Sequence, residues 1–233
     1  MGVARSRGPP PSVREEPPVT FTRRRLLETS AVALALVGSG LASLPAAAQG
    51  AFDMTEMLKP GALPDMILGK ADAKVTIVEY ASMTCGHCAH FHEAVLPHLK
   101  SKYIDTGKVR LVYREFPLDP LAAAVSMLSR CAPTERYFDM TGLYYRTLKQ
   151  WAGASDPVEA LFQLSRQADF TRDSFKTCLT NQKLLDDLTA GRTRASEKYK
   201  VDGTPTFFVN GRKVVGISTP EEMDKILAPL LGE

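Results

Sequence analysis

Long apolar runs are missing from this 233-residue sequence, and so is any lasting surplus of one charge. The most apolar stretch, residues 31–44, falls short of the ~20 residues that span a bilayer. Gly38 and Gly40 interrupt it and Pro45 follows it, which argues against a retained membrane anchor. Lys and Arg together number 29 against 26 acids. Residues 1–48 hold six of the arginines and three of the acids, so the remainder carries 23 of each and no net charge. A nucleic-acid binder needs a concentrated basic face, and none survives here. Cysteine is scarce too: four residues are too few to staple a chain of this size together. No internal repeat is visible. A hydrophobic fraction of 44% with 24% charged residues is what a packed soluble core requires, and it excludes global disorder.

Residues 1–48 read as an export signal. A Pro-, Gly- and Arg-rich extension to Val19 shows no apolar period and should be disordered. Thr22-Arg23-Arg24-Arg25-Leu26-Leu27 then supplies a positive region, residues 31–44 an apolar one, and Ala46-Ala47-Ala48 the small residues of a cleavage site. The paired arginines resemble a twin-arginine signal, with Glu28 departing from the Lys common in that pattern; the general secretory route is the alternative. Cleavage after Ala48 keeps Cys85, Cys88, Cys131 and Cys178 and sends them to an oxidising compartment, the periplasm.

The rest of the chain alternates. Val75-Thr76-Ile77-Val78-Glu79-Tyr80 is β-branched and apolar and reads as a buried strand. Cys85 opens a helix to about Tyr103, with Phe91, Val95 and Leu99 as its apolar stripe and Pro97 as a kink. Residues 109–115 form a second strand, parallel to the first because a helix separates them. Asp119-Pro120 and Asp156-Pro157 each put a capping acid before a proline at the first helical position. About 80 residues from there onward are helical. Asn210-Gly211 between Thr206-Phe207-Phe208-Val209 and Lys213-Val214-Val215 signals a hairpin. Thr219-Pro220-Glu221-Glu222 is a capping box that opens a last helix, ending near Leu231.

Cys85-Gly86-His87-Cys88 sits at a strand-to-helix junction. A cysteine in the first turn of a helix meets unpaired backbone N–H groups and the positive end of the helix dipole. Both stabilise a thiolate and lower its pKa to roughly 3.5–7.5. Cys85, at the exposed end, is therefore the expected attacked sulfur; Cys88, one turn in, closes the disulfide and resolves mixed disulfides. His87 would add a donor or a positive charge beside the Cys85 sulfur. A better stabilised thiolate makes the disulfide form a stronger oxidant.

The strand leading into Cys85-Gly86-His87-Cys88, together with Gly203-Thr204-Pro205-Thr206 before the hairpin, resembles the DsbA-type thiol:disulfide oxidoreductases of the bacterial periplasm. The resemblance covers residues 66–231. It implies an α/β class, a thioredoxin fold with a central mixed sheet and a helical domain inserted in the crossover. The division expected is a linker at 49–65, a first thioredoxin-like part at 66–118, the helical insertion at 119–200 and a second part at 201–233. Pro205 matches the cis-proline that faces the dithiol, which would let the Thr204 backbone pair with a client strand. Glu79 matches a buried acid placed to relay a proton to or from Cys88. Gly86 stands where DsbA usually has proline; Gly-His is also the dipeptide of disulfide isomerases. Thr204 replaces the more usual valine.

The activity implied is introduction of disulfides into unfolded exported proteins with free thiols. The implied partner is a DsbB-type, quinone-linked membrane reoxidant; no cofactor is implied, and the chain should be a monomer. Two rivals use the same residues: a disulfide isomerase or reductase, and a thioredoxin-like module that binds clients without turnover. DsbC-type isomerases add an N-terminal dimerisation domain, and residues 49–74 are too few to hold one. His87, His90, His92 and His98 invite a metal site, but solvated helix histidines are commoner, so no metal is expected. Cys131 and Cys178 could be free thiols, complete a four-thiolate zinc site with Cys85 and Cys88, or pair with each other. The compartment favours the structural disulfide.

Overall fold

The computed structural model describes residues 51–233. The export signal expected at residues 1–48 lies outside the described residues. Helix α1 (Met54–Met57) is followed by strands β1 (Met66–Leu68) and β2 (Val75–Ala81). The dithiol helix comes next: α2 (Gly86–His90) and α3 (Leu96–Leu99) alternate with π turns at Phe91–Val95 and Lys100–Ile104. Strand β3 (Val109–Glu115) precedes the helical block of α4 (Pro120–Cys131), α5 (Tyr137–Arg146), α6 (Leu148–Ala152), α7 (Pro157–Ser165), α8 (Arg172–Leu179) and α9 (Gln182–Tyr199). Strands β4 (Thr206–Val209) and β5 (Arg212–Val215) and helix α10 (Pro220–Leu231) complete the chain.

The five strands form one mixed sheet in the order β1-β3-β2-β4-β5. β2 and β3 run parallel, as the intervening helix demands, while β1, β4 and β5 pair antiparallel with their neighbours. This is the thioredoxin arrangement, with the helical block lying between β3 and β4. Alternation along the central strands divides the core. Val75, Ile77, Val109, Leu111, Phe207 and Val209 pack against Phe91, Val95 and Leu99 of the dithiol helix and against Met223 and Leu227 of α10. Val78, Tyr80, Val112 and Phe208 face the other way, onto Met57, Ala195 and Tyr199. A third cluster, holding Trp151, Tyr144 and Leu161, fills the helical block and reaches Cys88 and Tyr113.

Three expectations need correction. β1 precedes the strand read from the sequence as the first; at three residues it is too short for period-2 alternation to register. Residues 51–65 are not a bare linker. Phe52 N–H donates to Gly211 O at 2.8 Å, Met57 is fully buried, and Tyr199 Oη donates to Glu56 O at 3.0 Å. Pro97 does not simply kink its helix. With no N–H to donate, it follows a π turn in which Leu96 N–H bonds to Phe91 O.

The caps sit where the sequence put them: Asp119 accepts from Ala122 N–H, Asp156 from Glu159 N–H, and Thr219 and Glu222 form a reciprocal box. Asn210 and Gly211 have φ of 45° and 87°, the left-handed pair a two-residue hairpin needs. A Cβ at Gly211 would fall 2.2 Å from Phe52 O, so the close approach of the N-terminal segment also demands glycine.

Cys131, ending α4, is bonded to Cys178 of α8, with Cα atoms 6.1 Å apart. The bond closes a loop of 47 residues' separation, worth about 4 kcal/mol on the chain-entropy account. The Cys131→Ala/Cys178→Ala variant should therefore lose about 2–4 kcal/mol in urea unfolding, measured with Cys85 and Cys88 reduced and blocked in both proteins. An unchanged midpoint would remove the cross-link from the stability of this fold.

Candidate active site

The dithiol sits where β2 hands over to the helix. Cys85 is the N-cap of α2: its backbone is extended (φ −85°, ψ 116°) and its Sγ accepts from Cys88 N–H at 3.3 Å. Cys85 is half-buried, Gly86 and His87 are exposed, and Cys88 is fully buried. The loop before it is tied to the helical block. Thr84 Oγ1 donates to Asp119 Oδ2 at 2.5 Å, and Leu118 N–H donates to Ser82 Oγ at 3.3 Å.

Across the site, the Thr204–Pro205 peptide is cis and the Cys85 thiol donates to Thr204 O at 3.3 Å. The fold thus brings Cys85, Cys88 and Thr204-Pro205 together from segments about 120 residues apart. An open groove beside them is lined by His87, His90, Gly203, Thr204, Pro205 and Ser218. His90 Nε2 donates to Ser218 O at 2.8 Å, which ties the dithiol helix to the segment after β5.

The two thiols are driven apart. Cys85 is pulled down to about 5, above all because the Cys88 thiol donates to its thiolate. Partial burial opposes this; the Thr204 side chain and the backbone N–H groups of Cys88 and His87 add to it. Thr204 Oγ1 is buried without a partner while Cys85 keeps its proton, and it can donate to the sulfur once that proton has left. Cys88 is pushed far above the usual thiol range, first by burial, then by Cys85 and the Glu79 carboxylate. One sulfur is an anion at neutral pH and the other a thiol.

The His87 ring is exposed beside the groove, and its backbone N–H is the smallest of the influences that lower Cys85. The four histidines do not converge. His90 bonds to Ser218 O, His98 to Asp224 at 2.8 Å and His92 to Glu79. Among the described residues no group of three His, Cys, Asp or Glu side chains could hold a metal ion. The Cys131–Cys178 bond also removes two sulfurs from any four-thiolate zinc site.

His92 is the residue that sequence reasoning misses. Read as a solvated helix histidine, its side chain in fact keeps 3% exposure, and its Nε2 lies 3.0 Å from Glu79 Oε1. The available signal is its spacing: four residues after Cys88, it shares the inward face of the helix.

A family profile described as thioredoxin matches residues 62–228. The chain belongs to that thioredoxin family. Within it, the likenesses are to proteins of DsbA type. The crystal structure of Wolbachia pipientis alpha-DsbA1 superposes with a TM-score of 0.69 at 32% identity, covering 76% of this chain and 95% of that one. The crystal structure of a protein-disulfide isomerase from Novosphingobium aromaticivorans gives 0.65 at 27% identity, over 73% and 100%. A Rickettsia bellii protein, provisionally named protein-disulfide oxidoreductase, is 36% identical over 148 residues, 63% of this chain and 57% of that relative. The chain thus spans little more than half the length of the Rickettsia relatives it matches. The chain is a member of the DsbA-type branch of the thioredoxin-like oxidoreductases.

The depressed thiol gives a signed pH dependence. Folded Cys85 titrates at about 5 against an ordinary value of 9.0, so its anion favours the folded, reduced protein. That contribution is complete above the unfolded value and is lost as the pH falls through the folded one. The stability of the reduced protein minus that of the oxidised should therefore climb between pH 5 and 8. Thiolate absorbance near 240 nm should show one inflection near pH 5. A flat stability difference, or an inflection above 8, would contradict the geometry described.

Proposed function

We propose that the chain is an exported thiol:disulfide oxidoreductase that introduces disulfides into client proteins bearing free thiols. The observation that carries this reading is the opposite displacement of the two thiols, Cys85 to about 5 and Cys88 far upward. A thiolate that is a weak base is a good leaving group and a poor competitor for its own disulfide, so the disulfide form gives up its oxidising equivalents readily. A client thiolate attacks Cys85 Sγ, the Cys85–Cys88 bond breaks, and Cys88 leaves and is protonated. A second client thiolate then attacks the client sulfur of the mixed disulfide, and Cys85 departs as a stable anion. Thr204 and Pro205 border the groove in which an extended client segment would lie, its main chain pairing with Thr204. Glu79, beneath Cys88, supplies or accepts the proton.

Turnover requires an acceptor for two electrons. A quinone-linked membrane protein of the DsbB type fits that need, as the family resemblance implies. The export signal at residues 1–48 would place the reaction in the periplasm, and the chain would act as a monomer. Among the described residues no helix is long and apolar enough to cross a membrane. Isomerisation is the second reading, favoured by the Gly86-His87 dipeptide and by the likeness to the Novosphingobium protein-disulfide isomerase. Oxidation of a reduced dithiol peptide and reactivation of scrambled ribonuclease separate the two: an oxidase is fast in the first and slow in the second.

Roles within the dithiol are separable in the same assays. Cys88→Ser should accumulate clients as mixed disulfides on Cys85, because the resolving thiol is gone while the exposed sulfur remains. Cys85→Ser should capture far less, because Cys88 is fully buried. Equal capture on non-reducing gels would refute the assignment.

A further inference from the structure

Beneath Cys88 lies a pair for which only one partner has a role so far. His92 Nε2 stands 3.0 and 3.2 Å from the two carboxylate oxygens of Glu79. The sheet register explains the placement. Glu79 follows Val75 and Ile77 on the face that the dithiol helix covers, and its sheet neighbours are Tyr113 on β3 and Phe207 on β4. Cys88 and His92, four apart, look down onto it from the helix.

The other groups around the pair are committed. Tyr113 and Tyr145, from β3 and α5, share a hydrogen bond at 2.9 Å, and Tyr145 also donates to Ser82 O at 3.3 Å. Burial holds both phenols well above their usual range, so neither gives up a proton. The imidazole lies against Tyr145, ring centroids 4.5 Å apart, and edge-on to Tyr113 at 5.5 Å. Phe91 and Phe207 are apolar. Glu115, beyond Tyr113, is held by both Arg130 and Tyr137. Apart from Cys85, whose sulfur is bonded to the client once the disulfide opens, Glu79 and His92 are left as the groups near Cys88 that can exchange a proton. Glu79 has no solvent exposure and the imidazole 3%.

We propose that His92 is a positioning residue for the dithiol reaction, holding Glu79 and loading it with the proton that Cys88 takes when the disulfide opens. The inference rests on the exchange reading above. A client thiolate bonds to Cys85 Sγ, and the electron pair of the broken S–S bond leaves on Cys88 Sγ. The loaded Glu79–His92 pair passes one proton to that sulfur, and the pair regains it from solvent through the imidazole. Resolution of a mixed disulfide by Cys88 runs the same transfer backward, onto the unloaded pair. No other co-reactant is needed.

The test is the rate at which a dithiol peptide opens the Cys85–Cys88 disulfide between pH 5 and 9, divided by the peptide's thiolate fraction. The wild type sets the reference rate at each pH. His92→Gln keeps a donor for Glu79 but carries no extra proton. It should lose about tenfold at pH 6, less than the ~10²–10⁴ of a directly placed acid because His92 acts through Glu79. Glu79→Gln should do the same, and the double variant should be no slower than either single one. A second readout avoids variants: the His92 ring proton resonances should differ between oxidised and reduced wild-type protein. A His92→Gln profile superimposable on the wild type, additive losses in the double variant, or identical His92 resonances in both redox states would each overturn the inference. Peptide oxidation that persists in those cases leaves the exchange reading standing; a wild type that oxidises no peptide sinks both.

Discussion

The site rests on one hydrogen bond, from Cys88 N–H to the sulfur that caps its helix. A neutral thiol is a poor N-cap, since sulfur accepts weakly; a thiolate is a much better one. Cys85 is therefore thiolate and helix terminus at once, and its charge state is coupled to the stability of the element that carries Cys88, His90 and His92. The geometry that lowers Cys85 also buries its partner one turn further in. The asymmetry between the sulfurs comes from their positions on a single helix, and no separate device is needed.

The sheet supplies the floor of the site. Because β2 and β3 are parallel and in register, Glu79 lies beside Tyr113 and opposite Phe207, and the polar groups under Cys88 are fixed by strand pairing. The helical block supplies the walls: Tyr145 descends onto the pair from α5, and Asp119 serves both as the cap of α4 and as the acceptor for Thr84, next to Cys85. Buried polar groups of this kind are stabilising only when satisfied together. Glu115 illustrates it: Arg130 and Tyr137 share its carboxylate, and Arg130 also reaches Pro64 O.

Much of this can be read from the residues. The β-branched, apolar run at Val75, the capping acids before Pro120 and Pro157, Asn210-Gly211 and the cysteine spacing are local signals, and each lies where local chemistry put it. What escapes is set by distant partners. β1 is three residues long and exists because β3 offers it an edge. Residues 51–65 look featureless until α9 and the β4–β5 turn are present to receive them. His92 looks like a solvated helix residue because nothing local shows that a buried acid waits on the neighbouring strand.

The clasp between Phe52 and Gly211 sets an order of events for a chain that emerges from its N-terminal end. The segment that includes Phe52, Met57 and Glu56 is made early, yet its partners on α9 and the hairpin turn come some 140 to 160 residues later. Contacts that distant close slowly. Until they close, the sheet face that Met57 covers stays open, and the segment at Phe52–Met57 must meet α9 and the hairpin before that half of the core exists. The dithiol, encoded between them, acquires its cis-proline neighbour only when Gly203-Thr204-Pro205 has emerged. An unfinished chain therefore carries the dithiol without the Thr204 carbonyl that faces Cys85 in the complete fold.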